Sequence, residues 1–234
     1  MGNLSSSLNI ALQSLMADQA AIDVTSNNIA NANTPGYSRQ RPVFDAEPPV
    51  TYGNVDFGMG ASLQQVQSVT DPVLELQIDQ QTQNQGQLSS YLNAMQQVSS
   101  VFNETQGAGL QSALSQFFSS FQELSTNPTD TTLRQSVLNA GQSLATAFNQ
   151  ASTSLGQISG SLDQSVVQTV GQVNQLTSQI AQLDAQIGKL PINTQSTGSL
   201  QDQRAQLINQ LSGLVGVSIT NLDNGIVSIT TASG

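Results

Sequence analysis

From Leu133 to Leu190 apolar residues recur at steps of three and four almost without interruption. The series runs Leu133, Val137, Ala140, Leu144, Ala147, Ala151, Leu155, Ile158 and Leu162, then on through Val166, Val170, Val173, Leu176, Ile180, Leu183 and Ile187 to Leu190. This spacing sets them on one stripe of an α-helix, whereas a strand would scatter them over both faces. A helix from near Thr129, closed by Pro191, would be roughly 90 Å long if unbroken. Gly141, Gly156, Gly160 and Gly171 each weaken it by about 1 kcal/mol relative to Ala, which predicts a bend or break near 156–160. A rod of this kind needs further helices to cover its stripe, so the chain is expected to be mainly α.

Those helices can be read on either side. Thr70-Asp71-Pro72 opens one: Thr70 or Asp71 can cap, Pro72 suits the first turn, and Glu75 complements the N-terminal dipole. Its stripe passes through Leu74, Ile78, Leu88, Leu92, Met95, Val101 and Phe102, and Gly107 and Gly109 end it. Leu110, Leu114, Phe117, Phe121 and Leu124 form a shorter helix that stops before Asn127-Pro128, and a last helix is expected over about 199–214. After Gly216 the period changes to two. VSITNL and IVSIT flank Asp223-Asn224-Gly225, the signature of a hairpin whose turn needs positive φ. A lone hairpin is barely stable, so the ending is expected to be the start of a β-domain and the 234 residues a piece of a longer protein.

The N-terminal segment raises a different question. Leu4, Leu8, Ala11, Leu15, Ile22 and Ile29 line one face of a helix over about 3–33, with Leu12 and Met16 widening it. Thr34-Pro35-Gly36 stops that helix. Residues 37–61 carry Pro42, Pro48, Pro49, Gly53, Gly58 and Gly60 and read as an extended connector holding one or two short strands, such as 61–66. The apolar face of the first helix therefore lies beyond a long connector from the bundle and has no evident cover within the chain. A membrane surface would require Lys or Arg on the polar face, and the first basic residue is Arg39. A partner helix fits better.

Composition excludes much else. The chain has no His, Cys or Trp, and charged residues are only 9%, with 15 acids against 5 bases. Phosphate binding needs clustered cations, so nucleic acid is a poor partner. Serine triads, thiol nucleophiles and His- or Cys-based metal sites are ruled out, and no phosphate-cradling glycine motif is present. Asp71, Glu75 and Asp79 lie at i, i+4 and i+8, but a solvated acidic helix start explains them better than a calcium site. No catalytic, metal or cofactor residues are expected. The N-terminus lacks the basic and apolar regions of a secretory signal, the MGxxxS start lacks the second anchor that stable myristoyl binding requires, and no segment approaches membrane-spanning length.

The end of the first helix has a recognisable form. Ser26-Asn27-Asn28-Ile29-Ala30-Asn31-Ala32-Asn33-Thr34-Pro35-Gly36-Tyr37 closely resembles the N-terminal signature of the bacterial flagellar axial proteins, the rod, hook and hook-associated subunits. Gly36-Tyr37-Ser38-Arg39-Gln40 resembles the form in the hook-associated protein 1 family. So do Gln116-Phe117-Phe118-Ser119-Ser120-Phe121-Gln122-Glu123-Leu124 and Leu200-Gln201-Asp202-Gln203-Arg204-Ala205-Gln206-Leu207 followed by Leu214-Val215-Gly216-Val217.

The resemblance implies an extracellular structural subunit at the hook–filament junction, exported through the flagellar type III apparatus. The expected architecture is an axial helix over 1–34, a connector over 35–69, an elongated antiparallel helical bundle over 70–215 and the start of a β-rich outer domain over 216–234. The implied partners are identical subunits, adjacent hook and second junction or filament proteins, and an export chaperone bound at a C-terminal end beyond this chain. Leu4, Leu8, Ala11, Leu15, Ile22 and Ile29 become the expected assembly face. Ser26, Asn27, Asn28, Asn31, Asn33, Thr34, Pro35, Gly36 and Tyr37 are the family motif. A helix whose partner arrives only on assembly is expected to fray in the free subunit. The alternatives are a hook or rod subunit, which would place mainly β-domains after the connector, and a free-standing secreted coiled-coil module, which leaves the motif unexplained.

Overall fold

The computed structural model describes residues 2–52, 54–102, 109–191, 194–222 and 225–231. Gly107 and the Asp223-Asn224 turn lie outside them. The described elements are α1 (Gly2–Ala30), β1 (Gln40–Ala46), β2 (Val50–Tyr52), β3 (Val55–Phe57), β4 (Ala61–Ser68), α2 (Pro72–Phe102), α3 (Leu110–Thr126), α4 (Thr131–Ile187), α5 (Gln195–Ser212), β5 (Val217–Asn221) and β6 (Val227–Thr231). The fold is mainly α with small antiparallel strand pairs.

The helix starts follow from their caps. The Asp71 Oδ1 accepts from the backbone N–H groups of Val73 (2.9 Å) and Leu74 (3.2 Å), with Pro72 in the first turn. Asp130 does the same for α4, accepting from Thr132 at 2.7 Å and Leu133 at 3.3 Å. α5 begins earlier than the apolar pattern indicates, because Thr194 caps it by accepting from the Thr197 N–H at 3.1 Å. α4 is helical throughout its 57 residues, so the helix is not interrupted at Gly156 or Gly160. A local cost of about 1 kcal/mol per glycine is small against a helix that continues for many turns on both sides.

The stretch after α1 is more folded than a connector. β1 pairs antiparallel with β4, from Gln40 opposite Ser68 to Ala46 opposite Ala61, with an irregularity between Val43 and Phe44. β2 pairs with β3 inside that loop. Each sheet has two strands, so each strand keeps an open edge, which is where Pro42 can be accommodated without losing a ladder bond.

The chain packs as two compact units, one of residues 1–86 and 173–234, the other of 87–172. In the first, Ile180 of α4, Ile208 and Leu211 of α5 and Val217 of β5 form the buried core, flanked by Val173, Leu176, Ile219, Val227 and Ile229. The β5–β6 hairpin is therefore not isolated, because the apolar residues of both its strands pack on this core. In the second unit Phe117 sits edge-on to Phe121 (4.9 Å between ring centres) and packs over Gly141 of α4. Among the described residues the helical stripes are only partly buried. α2 has no buried residue among those described, and Val166 and Val170 of α4 are exposed. Leu211, which is 1% exposed, anchors this core. Leu211→Ala should lower unfolding stability by about 2–5 kcal/mol, read as a reduced urea midpoint; an unchanged midpoint would show that this cluster is not the core.

Candidate assembly interface

α1 is amphipathic in two directions. Ala17 and Val24 are buried, Val24 at 2% exposure, while Ile10, Gln13, Ala20, Asn27, Asn28 and Asn31 are half-buried. These positions follow a three–four spacing and form the face laid on β1 and β4. At β4's start a Cβ on Gly60 would meet the Ile10 side chain at 3.5 Å, which marks where this cover begins. Leu4, Leu8, Ala11, Leu15, Ile22 and Ile29 lie on the opposite face, roughly 180° round the helix. All six are exposed, Leu8 at 70% and Leu15 at 66%. Apart from Ile10, the residues of α1 that pack internally are small or polar, and Leu4, Leu8, Leu15, Ile22 and Ile29 are left exposed.

The motif at the end of α1 folds the chain back so that β1 can lie along the helix. The Asn28 carboxamide donates to the Gln40 carbonyl at 2.7 Å and accepts from the Gln40 N–H at 2.8 Å. The Tyr37 hydroxyl donates to Asn28 Oδ1 at 2.9 Å. Asn31 Nδ2 donates to Asn27 Oδ1 at 2.8 Å, and the Thr34 hydroxyl donates to Asn31 Oδ1 at 3.3 Å. The turn passes through Gly36 at φ +75°, a conformation that L side chains rarely adopt. Ser26, Asn33 and Pro35 are exposed, and within the motif it is Asn27, Asn28, Asn31, Tyr37 and the exposed Thr34 whose side chains make the clasp. The sequence-predicted aliphatic residues and the motif residues are therefore separate sets. The first forms an open surface, and the second holds the helix that carries it.

α5 supplies a partner set that the sequence pattern did not single out. The Ser38 N–H donates to Asp202 Oδ2 at 2.9 Å, and Gln206 Nε2 donates to the Pro35 carbonyl at 2.5 Å. Arg204, on another side of α5, pairs with Asp184 and donates to the Gly225 carbonyl, both at 2.6 Å. Asn209 donates to Asp79 and Thr82 of α2, each at 3.1 Å. Asp71 is committed to capping and Asp79 to Asn209, and among the described residues no group of three or more acidic side chains could hold a metal ion.

Burial raises the carboxyl pKa of Asp202 against the lowering effect of its bonds to Ser38. Glu75 is raised by partial burial, then by Asp79 and Asp202, with Arg204 opposing; Asp79 is raised by burial against its bond from Asn209. Burial and then Asp202 raise Tyr37. For the three carboxyls the raised values mean that the folded chain takes up a proton more readily than the unfolded chain. Their contribution to stability is therefore largest below the ordinary carboxylate range and is lost as pH rises through the raised values. The urea midpoint should rise as pH is lowered from neutral towards the ordinary carboxylate range, and Glu75→Gln should flatten that rise. A midpoint that falls over the same window would contradict this assignment.

Residues 95–234 match the family described as the flagellar hook-associated protein FlgK helical domain, and residues 8–37 match the flagella basal body rod protein family. The chain is 35% identical to flagellar hook-associated protein 1 of Bacillus subtilis over 97% of its own length and 46% of the relative's. It is 32% identical to flagellar hook-associated protein 1 of Escherichia coli over 99% of its length and 42% of that protein. The chain thus spans less than half the length of these curated relatives. The structure of the flagellar hook junction protein FlgK from Burkholderia pseudomallei superimposes with a TM-score of 0.57 at 30% identity, covering 68% of this chain and 28% of that one. With its helical region and its N-terminal motif both matched, the chain belongs to the FlgK family of flagellar hook-associated proteins.

Proposed function

We propose that this chain is a non-catalytic structural subunit of the bacterial flagellum at the junction between hook and filament, and that it joins a tubular polymer through the Leu4–Ile29 face of α1. The carrying observation is the division of labour on α1. Its small and polar face is already occupied by β1 and β4, so the exposed aliphatic face remains open for a second helix. Full burial of side chains the size of Leu4, Leu8, Leu15, Ile22 and Ile29 is worth about 1.5–3 kcal/mol each before ordering costs, enough to drive helix pairing.

The names of the relatives support the location, and the helix-rich region matched over 95–234 favours a hook-associated subunit over a hook or rod subunit. The occupant of the face is a helix from a C-terminal segment of the longer protein, and identical subunits and neighbouring hook and junction proteins complete the tube. In this reading residues 1–34 are the axial segment and 70–215 the helical segment. Passage through the flagellar export apparatus, with a chaperone on the C-terminal segment, places the protein outside the cell. Among the described residues no helix is long and apolar enough to cross a membrane.

The test is Leu8→Asp or Leu15→Asp in the full-length protein. Both sites are exposed, so stability should change by only about 0.5 kcal/mol or less, while incorporation into junctions should be lost. Junctions that assemble normally with either variant would contradict the proposal.

A further inference from the structure

The stretch Leu200-Gln201-Asp202-Gln203-Arg204-Ala205-Gln206-Leu207 carries more than core packing. Gly198, Asp202 and Gln206 are four residues apart and so form one stripe along α5. Each position on this stripe meets the N-terminal module of α1, its motif turn and the β1–β4 ladder. Beside Gly198 lie Ser68 of β4 and Gln40 of β1, near enough that a Cβ there would stand 2.6 Å from Ser68 Oγ and 2.9 Å from Gln40 Nε2. Asp202, 7% exposed, accepts the Ser38 N–H at 2.9 Å. Gln206 donates to the Pro35 carbonyl at 2.5 Å and lies over Gly36, where any Cβ would run into its side chain.

The N-terminal module is internally tied by Asn28 and Gln40, and by Ala17 and Val24 packed on the ladder. It therefore moves as a piece, and its direction depends on what holds it from outside. Two of the holds are hydrogen bonds to backbone groups at the motif turn itself, the point from which α1 departs. A small change of angle there is carried along the whole of α1, whose exposed face extends back to Leu4.

We propose that the Gly198–Asp202–Gln206 stripe is a positioning element that sets the direction in which α1 is presented, and that Asp202 and Gln206 are positioning residues for assembly. This rests on the reading of α1 as the assembly helix. Asp202 acts as a buried acceptor, so an amide oxygen at the same place serves equally; Gln206 fills the space that only a glycine at 36 leaves open.

The test uses the absence of cysteine in this chain. Spin labels at Ser14→Cys on α1 and Gln203→Cys on α5, both at exposed positions, report the separation of the two helices by pulsed dipolar spectroscopy. Asp202→Ala combined with Gln206→Ala should broaden or displace the distance distribution while helical content is retained, and Asp202→Asn alone should restore the parent distribution. In the full-length protein the same double variant should lose incorporation into junctions, and Asp202→Asn should keep it. A parent-like distribution in the double variant would overturn the positioning role, as would a shifted distribution with normal incorporation. If the double variant unfolds, Gln206→Ala alone, at an exposed site, gives the decisive distance. Failure of the assembly reading shows separately, as normal junctions with Leu8→Asp.

Discussion

Asn28 offers the Gln40 backbone the donor and acceptor that a neighbouring strand would offer, at 2.7 and 2.8 Å. A side chain on the last turn of α1 thereby starts a strand along that same helix. With Tyr37 donating to the same carboxamide oxygen, the turn at 31–37 is held from inside. Without that pair nothing local would direct β1 back along α1, and the Val24 and Ala17 contacts on the ladder would lose their partner. The motif therefore pins a helix–sheet module together, and it lies within the segment, residues 8–37, that matches the rod protein family.

Holding α1 by Ala17, Val24 and its polar residues decides which of its faces stays open. Ala and Val let the helix lie close to a two-stranded sheet, and the half-buried polar residues beside them tolerate the water at its open edges. The bulky aliphatics are then left on the far side, where a sheet of two strands could not reach round to cover them. Helix order and an open aliphatic face are thus achieved together, which moderates the fraying expected of a wholly uncovered helix. Cover starts at Ile10, so any fraying is confined to the turns before it.

How much of this could be read from the sequence depends on the kind of signal involved. The stop of α1, the cap at Asp71 and the β5–β6 pairing were legible because each is a local rule with a fixed residue requirement. The β1–β4 ladder was not, because Pro42, Pro48 and Pro49 read as breakers and QRPVFDA and ASLQQVQS lack a clean alternation. Pro42 is admitted because every strand of a two-stranded sheet has an open edge, and Pro48 and Pro49 fall between β1 and β2. The internal face of α1 went unseen for a related reason: Gln13, Ala17, Ala20, Asn27 and Asn31 have helical spacing but little hydrophobicity. Periodicity also showed that α2 has a stripe without showing that the chain leaves it uncovered. The Asp202 and Gln206 contacts reach back 164 and 171 residues, and no local pattern encodes them.

The central claim is that α1 has one face satisfied within the chain and one reserved for a partner. Single cysteines introduced at Leu15→Cys and Val24→Cys in the otherwise cysteine-free sequence measure both faces at once by thiol labelling, first in the free subunit and then in isolated hook–filament junctions. The account predicts that Leu15→Cys labels readily when free and is protected after assembly, while Val24→Cys is protected in both states. Equal reactivity of Leu15→Cys before and after assembly would contradict it.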